Sequence, residues 1–144
     1  MKVYMGQFMK GSDYSELCLP TRFPGLIRME QYGTPRLLCK GEKPSAEDLA
    51  AAAAGLQRLH AELISDAWDV VVADELCVTV HLGLLRETEA LELIACRPAD
   101  VELVLTGRYA TQRIMAAADL VTEMTEVKHY YSSEGLAARK GIEF

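Results

Sequence analysis

The sequence has no long apolar run, no basic run and no paired cysteines, and each absence excludes a class of protein. None of its hydrophobic stretches approaches the roughly 20 residues needed to cross a bilayer. No basic start followed by an apolar run marks a secretory leader. Lys and Arg number 15 against 21 Asp and Glu, for a formal net charge of −6. No cluster of Lys or Arg offers a nucleic-acid footprint. The four cysteines, Cys18, Cys39, Cys77 and Cys96, form no C-x-x-C pair. None has a histidine at metal-ligand spacing. Cys77 and Cys96 lie in apolar surroundings and read as buried thiols. Together these features describe a reduced, cytoplasmic protein with neither a membrane nor a nucleic acid as partner. Also missing is any Ser-His-Asp or Cys-His constellation that would announce nucleophilic catalysis.

What is there is an ordinary globular composition. Half of the 144 residues are hydrophobic and a quarter are charged, which suits one domain over residues 1–144 with a real core. The organising stretch is Asp69-Val70-Val71-Val72-Ala73-Asp74-Glu75. An apolar run without alternation predicts a strand buried on both faces, as in a parallel sheet flanked by helices. Two carboxylates stand where that strand should end. In open α/β sheets ligands bind outside the carboxyl ends of the strands. An apolar strand ending in Asp-Glu is therefore a candidate for holding hydrated Mg²⁺ beside nucleotide phosphates. The bland alternative is a core strand followed by an acidic turn.

Around that strand the pattern alternates. Lys2 to Met9 and Leu26 to Tyr32 read as strands, with one helical turn between them over Tyr14 to Cys18, before Pro20. Gly33 to Pro44 reads as an irregular loop. Ser45 and Asp48 form a variant capping box that opens a long helix. On it Leu49, Ala53, Leu56, Leu59, His60 and Leu63 are expected inside, and Glu47, Gln57, Arg58, Glu62 and Asp66 outside. His60 is then expected as a core histidine. Leu76 to Leu85 is open between helix and strand. Thr88 to Arg97 reads as a helix ended by Pro98, and Val101 to Thr106 as another buried strand. Gly107-Arg108 follows at its carboxyl end, where an arginine can reach a phosphate. Thr111 caps a short helix, and Leu120 to Met124 reads as a further strand. Strands alternating with helices predict an α/β fold with a mostly parallel sheet.

Several phrases then occur in a telling order. They are Gln7-Phe8-Met9-Lys10-Gly11, Asp74-Glu75-Leu76, Leu103-Val104-Leu105-Thr106-Gly107-Arg108, Ala118-Asp119-Leu120-Val121-Thr122-Glu123-Met124, and Val127-Lys128-His129 through Lys140-Gly141-Ile142-Glu143-Phe144. Together they resemble the CobA-type (BtuR) corrinoid adenosyltransferases, nearly end to end. The resemblance implies a P-loop-type α/β fold and a homodimer. It implies transfer of the 5′-deoxyadenosyl group of ATP to the Co(I) of a reduced corrinoid, with Mg²⁺ as cofactor. The protein's part would then be positioning, metal binding and leaving-group stabilisation. Glu75 falls where the family's Asp-Glu-Leu motif supplies a carboxylate to Mg²⁺, with Asp74 beside it. Arg108 falls on the Thr-Gly-Arg motif at the nucleotide end of the sheet, and Arg97 on an Arg-Pro pair near the same pocket. Lys128 and His129 match the late Val-Lys-His motif; they suit an anionic ligand or acidic neighbours equally well.

The departure from the family is large. Family members begin with a strand, a Gly-rich phosphate loop of the G-x-x-x-x-G-K-[ST] kind and a helix. No such motif occurs in these residues; Lys10-Gly11 and Lys40-Gly41 lack the spacing. With it go the nest of backbone N–H groups, the phosphate lysine and a hydroxyl ligand for Mg²⁺. The missing strand lies inside the family's sheet, so a gap or an unpaired edge is expected. The aromatic residues that approach the corrinoid in the Gly33 to Pro44 region are replaced here by Pro35, Arg36, Leu37 and Leu38. Two expectations follow: an adenosyltransferase impaired as this chain alone, or a non-catalytic nucleotide- or corrinoid-binding subunit.

Overall fold

A computed structural model describes residues 1–36, 38 and 41–142. Four strands build its sheet: β1 (Val3–Gln7), β2 (Ile27–Gln31), β3 (Val70–Asp74) and β4 (Glu102–Leu105). Their order is β2-β1-β3-β4, and every neighbouring pair is parallel. The helices are α1 (Leu19–Arg22), α2 (Ala46–Leu63), α3 (Leu76–His81), α4 (Glu87–Ala95), α5 (Gln112–Ala117) and α6 (Tyr130–Glu134). A 3-10 turn, Ser15–Cys18, leads directly into α1. The helical stretch runs past Pro20 because that residue sits in the first turn of α1, where no N–H is needed. This is the expected α/β architecture.

The expectation of burial on both faces is met on one face of β3 only: Val71 and Ala73 are fully buried, whereas Val70 and Val72, on the other face, are half-buried. Val71 and Ala73 join Tyr4, Phe8, Leu59, Leu63, Leu76 and Leu93 in the core. The Ser45 capping box forms as predicted. The Ser45 hydroxyl accepts the Asp48 N–H, and the Asp48 carboxylate accepts the Ser45 N–H. These contacts, with the Thr34 hydroxyl, hold the Asp48 pKa below the usual carboxylate range.

The inner face of α2 is rotated from the expected one. Ala52, Gly55, Leu59, Glu62 and Leu63 are buried, whereas Leu49 and Ala53 are exposed. His60 is exposed as well, so it is not a core histidine. Two contacts explain the rotation. Glu62 turns inward because the Trp68 Nε1–H donates to it at 2.6 Å and Arg58 pairs with it at 2.7 Å. Gly55 turns inward because Tyr32 fills the space above it, with ring atoms 2.3 Å from where a Cβ would stand. Gly6 on β1 meets the other edge of the same ring, at 2.4 Å. The Tyr32 hydroxyl bonds to that of Tyr4, and burial raises both phenol pKa values, Tyr4 to about 12.

Leu76 to Leu85 resolves as the helix α3 followed by a turn. Leu120 to Met124 is not a strand. The segment has no regular secondary structure and is exposed, Leu120 at 85% and Met124 at 94%. Propensity for strand needs a ladder to act on, and no strand pairs with this segment among the described residues. A groove of about 350 Å³ separates it from β4, lined by Leu103, Val104 and Leu105 on one side and Leu120, Val121 and Thr122 on the other. The expected interruption therefore does not fall between hydrogen-bonded strands; β1, β3 and β4 pair continuously, and the open space lies outside β4. Within Gly33 to Pro44, residues Leu37, Cys39 and Lys40 lie outside those described, as do Glu143 and Phe144.

Candidate functional site

The carboxyl ends of β1, β3 and β4 meet at one edge of the sheet, and the polar side chains concentrate there. β3 ends at Asp74, and the chain turns sharply at Glu75 into α3. Glu75 adopts φ 60° and ψ 20°, the left-handed region that a non-glycine residue enters at a cost of about 1–2 kcal/mol. Three contacts hold that peptide. The Glu75 N–H donates to the Thr106 Oγ1 at 2.9 Å, the Thr79 Oγ1–H donates to the Glu75 carbonyl at 2.8 Å, and the Cys77 N–H donates to the Thr106 carbonyl at 3.1 Å.

The two adjacent carboxylates have different fates. Asp74 is engaged on both oxygens: the Thr106 hydroxyl donates to Oδ1 at 2.9 Å, and Oδ2 faces the Lys10 ammonium at 3.2 Å and the Gln7 Nε2 at 3.3 Å. Lys10 and Gln7 also hold Glu16, at 2.8 and 2.9 Å. Burial works against the Lys10 charge, but Glu16 and Asp74 outweigh it and its pKa is raised. Burial likewise works against the Glu16 charge, and the hydrogen bonds from Lys10 and Gln7 outweigh it, so its pKa is lowered. Gln7 is buried to 1% exposure, and its Oε1 has no partner among the described residues. Glu75, by contrast, is half-buried and its carboxylate makes no hydrogen bond or ion pair among the described residues. Beside it, burial first and the Glu75 charge second push the Cys77 thiol pKa up, so that thiol is a core group and not a nucleophile.

The remaining candidates scatter. Arg108 follows Gly107 at the carboxyl end of β4, on the same edge as Glu75, and is exposed with its guanidinium over the Tyr109 ring. Tyr109 stacks on His81, ring centroids 4.1 Å apart. Arg97 stands before β4 begins, at the opposite end of that strand. Its guanidinium donates to the Pro98 and Val101 carbonyls and faces Asp119 at 3.6 Å. Lys128 and His129 are exposed on the C-terminal segment. The His129 Nδ1 accepts the Tyr131 N–H and so caps α6. No hydrogen bond or ion pair joins Lys128 or His129 to the sheet edge among the described residues. The structure thus places Asp74, Glu75 and Arg108 at the same end of the sheet, with no contact from Arg108 to either carboxylate among the described residues, and leaves Arg97, Lys128 and His129 elsewhere. It adds Gln7, Lys10 and Thr106, which stand inside the phrases that carry the resemblance, and Glu16, which no phrase contains.

Among the described residues no group of three or more His, Cys, Asp or Glu side chains gathers to hold a metal ion, so Glu75 is the one carboxylate this edge leaves for Mg²⁺. Hard oxygen ligands are what that ion takes, and it commonly uses one or two protein carboxylates, keeping water and phosphate oxygens for the rest. Glu75 is a free carboxylate in such a place.

Comparison with known proteins places the chain. The family model described as ATP:corrinoid adenosyltransferase BtuR/CobO/CobP matches residues 1–144. A corrinoid adenosyltransferase of Pseudomonas aeruginosa is 37% identical over 147 residues, covering 100% of this chain and 70% of the relative. The corrinoid adenosyltransferase CobA of Salmonella typhimurium is 33% identical over 97 residues, covering 67% of this chain and 49% of the relative. A corrinoid adenosyltransferase of a Sinorhizobium species is 34% identical, covering 69% of this chain and 46% of its own length. The matched part thus spans between about half and 70% of these relatives.

Proposed function

The chain belongs to the ATP:corrinoid adenosyltransferase BtuR/CobO/CobP family, and on that premise we propose that it serves the transfer of the 5′-deoxyadenosyl group of ATP to the cobalt of a reduced corrinoid. In that reaction the Co(I) electron pair attacks C5′ of ATP. A Co–C bond forms, the C5′–O bond breaks, and triphosphate leaves with the bonding pair. No protein nucleophile is needed, which agrees with a sheet edge that offers carboxylates, an arginine and an inert thiol.

The observation that carries the reading is the carboxylate of Glu75, without a partner among the described residues, on a strained turn at the carboxyl end of β3, beside an Asp74 whose two oxygens are already engaged. Glu75 is proposed as the protein ligand of Mg²⁺, and Mg²⁺ would supply charge neutralisation to the triphosphate. Arg108, on the same edge, is proposed to meet a phosphate oxygen. Arg97, Lys128 and His129 enter only if the groove beside β4 and the C-terminal segment close over the ligand. A homodimer in the reducing cytoplasm belongs to the same proposal.

These 144 residues alone are proposed to bind Mg-ATP weakly. No G-x-x-x-x-G-K-[ST] motif occurs among them, so no nest of backbone N–H groups gathers the phosphates. That observation favours a second reading, a nucleotide- or corrinoid-binding subunit that works with another chain. Calorimetric titration of the purified chain with Mg-ATP tests both. Weak binding that disappears in Glu75→Ala is expected. A low-micromolar dissociation constant would overturn the weak-binding claim, and an affinity unchanged by Glu75→Ala would remove Glu75 from the site.

A further inference from the structure

We propose that Thr106 is a positioning residue: its hydroxyl, oriented by Asp74, pins the Glu75 peptide in the left-handed conformation and so sets where the Glu75 carboxylate points. The functional half of this proposal rests on the reading of Glu75 as the metal-side carboxylate.

The Thr106 hydroxyl is used in both directions. It accepts the Glu75 N–H at 2.9 Å and donates its own proton to the Asp74 Oδ1 at 2.9 Å. The Thr106 hydroxyl proton points at Asp74 Oδ1, while Lys10 and Gln7 occupy Oδ2. The hydroxyl lone pair is thereby left facing the Glu75 amide. The main chain of Thr106 adds a second hold, its carbonyl accepting the Cys77 N–H at 3.1 Å. One residue at the end of β4 thus grips the turn after β3 on both sides of its bend.

The close approach is built into the next residue. Gly107 has φ +122°, and a Cβ there would stand 3.1 Å from the Val78 N and 3.2 Å from Cys77. The end of β4 can therefore lie directly against the start of α3. Left-handed backbone at a non-glycine residue persists only where neighbours over-determine it. Here the neighbours are Thr106 on the N–H and Thr79 on the carbonyl. Only a hydroxyl both donates and accepts at this position. Valine has the same shape and does neither.

The test pairs Thr106→Val with Thr106→Ser in the full chain, with the fold of each checked by thermal unfolding. The first readout is hydrogen exchange of the Glu75 amide by NMR; the second is Mg-ATP affinity by calorimetry. Thr106→Val is expected to speed exchange and to weaken Mg-ATP binding roughly 10-fold, the scale of losing a partner that orients a metal ligand. Thr106→Ser is expected to restore both. Unchanged exchange in Thr106→Val overturns the proposal. So does faster exchange with full Mg-ATP affinity, in a protein where Glu75→Ala loses it. If the wild-type chain binds Mg-ATP no better than Glu75→Ala, the reading of Glu75 itself fails, and exchange alone then decides whether Thr106 holds the turn.

Discussion

Replacing Glu75 by glycine should leave the protein more stable than replacing it by alanine, and either change should weaken Mg-ATP binding. Glu75 has φ 60°, and left-handed backbone costs a side-chain-bearing residue about 1–2 kcal/mol. Glycine enters that region freely, but its looser unfolded chain returns about 0.4–1 kcal/mol of the gain. At mid-range values the net stabilisation of Glu75→Gly over Glu75→Ala is then about 0.8 kcal/mol. Alanine is the right reference because it keeps the strain while removing the same carboxylate, so any attraction of that charge to the start of α3 cancels. The side chain makes no capping hydrogen bond that either substitution would break. For a chain of this size the difference corresponds to about 1–3 °C in Tm. Urea denaturation of both variants reads the stability, and calorimetric titration reads Mg-ATP. Both variants should lose whatever affinity the wild type has, with glycine the more stable of the two. A glycine variant no more stable than alanine would refute the claim that strain is stored here. A glycine variant that binds Mg-ATP like wild type would refute the claim that the strain serves the carboxylate.

Gly55→Ala should destabilise although it lies inside a helix. Removing glycine from a helix normally gains about 1 kcal/mol, but a Cβ 2.3 Å from the Tyr32 ring meets a side chain already wedged against Gly6; overpacking of about 3 kcal/mol leaves a net loss near 2 kcal/mol, about 4–8 °C in Tm, and a gain in Tm would count against the wedge. Glu16→Gln should cost stability at neutral pH and little in acid. The Glu16 pKa is lowered from 4.5, so its contribution is complete above that value and fades as pH falls through the folded-state pKa. The Lys10 pKa is raised from 10.5, so its contribution is complete below that value and fades as pH rises through the folded-state pKa. A Glu16→Gln penalty in urea that is the same at pH 7 and at pH 3 would rule the pairing out.

The backbone of this fold was legible because its signals are local. The valine run announces β3 as an inner strand of a parallel sheet, although one of its faces is only half-buried, and the Ser45–Asp48 box announces α2 within four residues. What failed depends on contacts distant in sequence. The inward face of α2 is decided by Trp68 on Glu62 and by Tyr32 over Gly55, neither visible in the helix's own periodicity. Leu120 to Met124 has strand composition but no ladder beside it. At the site, Asp74 and Glu75 were legible as a pair of acids after an apolar strand. Their separation into one engaged and one free group was not, because the deciding partners, Lys10 and Thr106, lie 64 and 32 residues from Asp74 in sequence.

That separation bears directly on the chemistry. Two free carboxylates side by side would repel each other and together favour a metal ion even without substrate. Here both Asp74 oxygens are already engaged, by Thr106 and by a Lys10 that Glu16 shares, whereas the Glu75 carboxylate has no hydrogen bond or ion pair among the described residues. One carboxylate is a poor site for a strongly hydrated ion such as Mg²⁺, which needs further oxygen ligands to be held. Triphosphate oxygens are such ligands. With Glu75 as the proposed metal ligand, a sheet edge built this way would tie retention of the metal to the presence of the nucleotide, and the Lys10–Asp74–Thr106 chain of contacts would keep Asp74 out of the competition while Thr106 holds the Glu75 peptide in place.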